Sequence, residues 1–134
     1  MRYVVEIPGT LPTAADHVRM REKSMHDAHE FEVLMIKYLA ARFRDVGVKL
    51  EARAYVGIIW VRPDTAESPE SVSWPEQFIP DALVHSQAIR NRRSARFETF
   101  DLGFRTNPNN PRTIIIVADT EHELLRSEEL RTYA

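Results

Sequence analysis

Few residues in this 134-residue chain have both the type and the spacing to do chemistry. His26-x-x-His29 is the most metal-like feature. Two histidines three apart share one helix face and could hold a divalent ion beside Glu22 or Glu30. The spacing departs from the i, i+4 zincin pattern, which also interposes a glutamate. With no cysteine in the chain, a further ligand such as His85 or His122 would have to arrive from a distance. The expectation is a solvated helical face, with no metal and no cofactor.

Arg90, Arg92, Arg93 and Arg96 form the densest basic cluster. It could bind phosphate. It could equally pair with carboxylates within the chain, either Asp64 to Glu76 or Glu121, Glu123, Glu128 and Glu129. Eighteen basic residues against twenty acidic ones give a net charge of −2. That weighs against nucleic acid as the main partner. Only Lys23, Lys37 and Lys49 are lysine, and codon composition is a sufficient reason for the arginine bias.

No phosphate-cradling loop, dinucleotide fingerprint or nucleophile elbow is present. All three lysines precede Pro63-Asp64 and Pro80-Asp81, so no nuclease of the PD…(D/E)xK type is spelled. Asp64 and Glu67 are paired carboxylates, but in a proline-rich segment where preorganisation is doubtful. His29, His85 and Asp101 are enzyme candidates by residue type alone. No catalytic residue is assigned.

These residues must be positioned by one α+β domain spanning 1–134, with a mostly antiparallel sheet against one long helix. Arg2 to Ile7 reads as a strand stopped by Pro8-Gly9. Thr13-x-x-Asp16 and Ser24-x-x-Asp27 are two capping boxes. Either one helix runs from Thr13 to about Asp45, or a loose segment precedes a helix from Ser24. Gly47 supplies its left-handed end.

Val48 to Arg62 (VKLEARAYVGIIWVR) reads as a long strand. It alternates at first and is apolar on both faces after Gly57, where a bend or bulge is expected. Residues 63–80 hold half of the chain's eight prolines, a composition that argues against helix or central strand. Val72, Trp74, Phe78 and Ile79 are too apolar for a solvated linker. The segment packs back, reaches out as an arm to a neighbour, or is disordered. Residues 72–79, from this chain or a neighbour, are expected to give Ile58 to Val61 their second cover.

Asp81 should cap a short helix to about Arg92. Phe97 to Phe104 and Ile114 to Val117 read as a hairpin around NPNNP, with the second strand central. Thr120-x-x-Glu123 opens a last helix to about Thr132, with a narrow apolar stripe.

The leading functional expectation is a non-catalytic assembly protein that works as a homo-oligomer, for example a head–tail or tail component of a virion. Its contact residues would be Trp74, Phe78, Ile79, Leu124, Leu125, Leu130 and Tyr133. Its partners would be itself and other proteins of the assembly. One alternative is a small hot-dog-like or cone-fold enzyme. The other is a nucleic-acid-binding module using the Arg90 to Arg96 cluster. No apolar run is long enough to span a bilayer, and the N-terminal apolar stretch is too short for a signal peptide. The expected location is the cytoplasm, or a particle assembled there.

Overall fold

Two strands of this chain are apolar on both faces, and they take the two central places of a four-stranded sheet. The computed structural model describes residues 1–125. Its strands are β1 (Arg2–Pro8), β2 (Arg53–Arg62), β3 (Arg96–Thr106) and β4 (Arg112–Ala118). Their spatial order is β1-β4-β2-β3. Strand β4 runs antiparallel to both β1 and β2, and β2 runs parallel to β3. The sheet is therefore mixed. The expected hairpin of β3 with β4 does not form. A fully buried β4 needs a neighbour on each side, whereas the half-exposed β3 suits an edge.

The one long helix is in fact two. Helix α1 (Ala14–Lys23) and helix α2 (Met25–Val46) meet at Ser24, whose backbone is extended. Thr13 makes both bonds of its capping box with Asp16, and the Ser24 hydroxyl accepts from the Asp27 N–H at 3.2 Å. The second cap stops the first helix. Gly47 ends α2 at φ 79°, in the left-handed region where a Cβ is unfavourable.

The proline-rich segment is no arm. It folds as a train of short helices: α3 (Pro69–Val72), a 3-10 turn (Trp74–Phe78) and α4 (Ile79–His85). Each has a proline in its first turn. There the missing N–H costs no hydrogen bond and the fixed φ favours helix. Prolines spaced in this way start helices, which is why composition alone misleads. Asp81 lies in the first turn of α4, with Phe78 at the N-cap position, and the helix stops at His85. Gln87 then takes a left-handed φ of 62°, so the helix cannot reach Arg92. The short helix after β4 is α5 (Glu121–Leu125), with Glu123 N–H bonded to Thr120 Oγ1 at 3.1 Å.

The opening of the expected long strand is separate from it. Leu50 makes an isolated parallel bridge to Ile89, and β2 begins only at Arg53. The bend therefore falls near Glu51 and Ala52. The irregularity near Gly57 is a bulge on the partner strand. Ile58 faces Asp101 and Ile59 faces Gly103, so Leu102 is the extra residue.

The larger core lies between the sheet and α2, α4 and the 3-10 turn. Val5, Leu39, Phe43, Ile58, Trp60 and Leu83 are among its side chains. Val72, Phe78 and Ile79 belong to it, so they cover the same face of β2 as α2 does. A smaller core forms on the opposite face, where Leu124 of α5 sits with Ile59, Val61, Ile114 and Ile116. That second cover was expected from residues 72–79.

Candidate functional site

Two groupings of charged side chains stand out, one acidic and one basic. The acidic one is at the β3 bulge. Asp101 and Ile58 are register partners, and Ile58 belongs to the larger core. The Trp60 indole N–H donates to Asp101 Oδ1 at 3.0 Å. Trp60 itself is 1% exposed, so Asp101 satisfies a donor that water does not reach. Glu76, from the 3-10 turn, brings its carboxyl against the carboxyl of Asp101. Burial first, then the hydrogen bond and the charge of Asp101, push the Glu76 carboxyl up to about 7. A carboxyl held beside another carboxyl keeps its own proton to higher pH. Thr99, Ser73, Gln77 and Glu70 line the surrounding cleft of about 490 Å³, together with Trp74 and Pro80. Glu76 can donate or accept a proton near neutral pH.

Asp101 is a candidate by residue type, but no spacing in the sequence couples it to Glu76. The signal that fixes Glu76 is the pair of helix-starting prolines on either side of it, Pro75 and Pro80. His29 and His85 are not brought to Asp101. His29 is exposed on α2, and His85 is exposed at the end of α4, where its carbonyl accepts from Arg44 Nη2 at 3.2 Å. His26 Nε2 lies 3.2 Å from Glu30 Oε1, one helical turn away. Among the described residues no three His, Asp or Glu side chains gather as a metal site would require.

The basic grouping is at the end of the sheet where β2 and β3 both begin. Because these strands are parallel, Arg53 and Arg96 are register partners. The loop before β3 and the first residue of β3 are tied to the residues before β2 by four backbone bonds: Leu50 N–H to Ala88 O at 2.7 Å, Arg90 N–H to Leu50 O at 2.9 Å, Asn91 N–H to Glu51 O at 2.7 Å, and Arg96 N–H to Ala52 O at 3.2 Å. Lys49 Nζ donates to Gln87 O at 3.3 Å in the same region. This stitching gathers Lys49, Arg53, Arg90, Arg92, Arg93 and Arg96 at one end, all of them exposed. Sequence reasoning found the Arg90 to Arg96 cluster and missed Arg53, which only the parallel pairing brings in. The pairing with internal carboxylates is small. Arg90 Nη1 lies 3.8 Å from Glu51 Oε2, with both side chains largely exposed.

Of the residues expected at an interface, Phe78, Ile79 and Leu124 lie in the chain's own core, and Leu125 is exposed. Trp74 is half-buried. It stacks on His17 with ring centres 4.7 Å apart and on Phe31 at 5.9 Å, and it meets Phe78 edge-on at 4.9 Å. His17 Nε2 is 3.2 Å from Glu32 Oε1, an ion-pair distance off the line of a hydrogen bond. Leu130 and Tyr133 lie outside the described residues.

No protein-family model matches the chain, and no curated protein matches it. No helix among the described residues is long and apolar enough to cross a membrane.

Proposed function

We propose that the protein is a non-catalytic assembly protein that works as a homo-oligomer, with the outer face of α2 as its contact surface. The observation that carries this reading is an apolar strip on that face. Leu34 is 62% exposed and Tyr38 is 43% exposed, one helical turn apart. Beside them is an apolar hollow of about 290 Å³ bounded by Pro8, Leu11, Pro12 and Phe31.

The strip is self-complementary. Two α2 helices packed antiparallel about a two-fold axis set Leu34 against the partner's Tyr38 and bring Glu30 to the partner's Arg42. Such isologous pairing is the commonest form of oligomer. A standard interface takes roughly 800 Å² from each partner. That is about a tenth of this chain's 7717 Å², an area that two to three turns of α2 and the Pro8 to Pro12 loop can provide.

The test is the mass in solution by light scattering. The wild type should run as an oligomer at about 100 µM, and Leu34→Asp with Tyr38→Asp should run as a folded monomer. A monomeric wild type at that concentration rejects the reading.

A further inference from the structure

We propose that the basic end of the sheet binds single-stranded nucleic acid, with phosphates against Arg53, Arg92, Arg93 and Arg96 and a base stacked on Tyr55. This surface is separate from the α2 strip, and the inference does not rest on self-association.

The charge is concentrated. The segments that carry the six cations, 49–53 and 90–98, hold two carboxylates, Glu51 and Glu98, an excess of four positive charges on a chain whose net charge is −2; at the neighbouring end of β4, Asp119 is paired with the Met1 ammonium at 3.0 Å. Among the described residues Arg53, Arg92 and Arg93 have no carboxylate within ion-pair distance; the pair in this region is Arg90 with Glu51. The Arg96 guanidinium donates at 2.8 Å to the carbonyl of its own neighbour, Ala95, which leaves further donors. Like charges held together without neutralisation repel one another, and an anion relieves that repulsion. The cations come from the starts of two neighbouring strands and from the loop before β3, which together form a rim. An extended anion with repeated charges fits such a rim better than a lone phosphate does.

The second observation concerns the shape beside the rim. Arg53, Tyr55, Arg96 and Glu98 share one face of the sheet, because Arg53 pairs with Arg96 and Tyr55 with Glu98. Together with Ala54 and Phe97 they bound a hollow of about 320 Å³. The Tyr55 ring is half-buried at the margin of the smaller core, so it is held in place while part of it stays open. An aromatic ring beside two guanidinium groups suits a single strand, with the base on the ring and the neighbouring phosphates on the cations. Glu98 can accept from an exocyclic base amine. A duplex keeps its bases stacked internally and gains nothing from Tyr55. An acidic protein gains nothing from an open ring.

The test is fluorescence anisotropy of the full chain with labelled dT20, labelled rU20, a 20-base-pair duplex and labelled polyglutamate. The expected result is binding of either single strand at 50 mM salt, with log affinity falling against log salt at a slope of about 3 for four phosphates. Replacing Arg92 and Arg93 together by alanine should weaken binding at least tenfold and lower the slope by between about 1 and 2. Tyr55→Leu should weaken binding at unchanged slope. Circular dichroism confirms that each variant is folded. The proposal is overturned if neither single strand binds at 50 mM salt, or if the duplex or polyglutamate binds as tightly. Unchanged affinity in the folded double-arginine variant or in Tyr55→Leu overturns it as well.

Discussion

Trp60, on a central strand, and Asp101, on the bulge of an edge strand, are joined by a 3.0 Å hydrogen bond. The bond lies at the bulge of β3. An extra residue, Leu102, shifts the register after Ile58. Leu102 packs with the smaller core, while Asp101 keeps its carboxylate on the helix side, against the indole. Asp101→Leu leaves a buried N–H without a partner and should cost about 1–3 kcal/mol in urea unfolding. Asp101→Asn keeps an acceptor oxygen and should cost clearly less. Equal losses in the two variants would mean that the hydrogen bond is not what holds the bulge.

The proton on Glu76 sets a pH dependence. The folded chain holds the Glu76 proton up to about pH 7, whereas an ordinary glutamate releases it near 4.5. The associated stability is full below pH 4.5 and is lost as pH rises through 7. The raw shift corresponds to roughly 3 kcal/mol. Glu76 is only half-buried, and solvent screening reduces this to about 1 kcal/mol. Thermal melts at pH 5, 6, 7 and 8 should show a falling midpoint for the wild type relative to Glu76→Gln. Parallel curves for the two proteins would mean that the folded chain does not hold the Glu76 proton to higher pH.

Gly57 is required by close packing. A Cβ there would come within 2.3 Å of Leu102 Cδ1 and 3.0 Å of Leu124 Cδ1. Leu124 is fully buried, so only Leu102 has room to move. Gly57→Ala should cost about 1–3 kcal/mol, and less in a Leu102→Ala background. A double-mutant cycle measures the coupling. Strict additivity would mean that the two side chains do not compete for the same space.

Gly47 is a different case, because it has open space around it and a φ of 79°. Gly47→Ala should cost about 1 kcal/mol through backbone strain alone. Gly47→Asn should recover part of that. Chemical denaturation distinguishes the two.

Local signals were legible and long-range ones were not. The caps at Thr13, Ser24 and Thr120, the stop at Gly47 and the central position of Ile114 to Val117 all follow from near neighbours in sequence. The neighbour of β3 does not. A turn-rich NPNNP between two strands is equally consistent with a hairpin and with a connection that passes over β2. Only the competition among four strands for two buried places decides between them. The sites share this limit. Arg90 to Arg96 is visible as a run, but Arg53 joins it through a parallel pairing forty-three positions away. Glu76 meets Asp101 only because three short helices deliver it.

The strand order has a consequence for synthesis. Strand β4 is the last strand among the described residues, yet it sits between β1 and β2. Until residue 118 has left the ribosome, β1 and β2 each present a bare hydrogen-bonding edge, and the face of β2 that Leu124 covers is open. The nascent chain therefore cannot close its sheet progressively. It must hold its first half open and complete the structure in a late step, when β4 inserts. Chains halted before Arg112 should be the aggregating species, and a chaperone that shields β2 is the factor on which yield should depend.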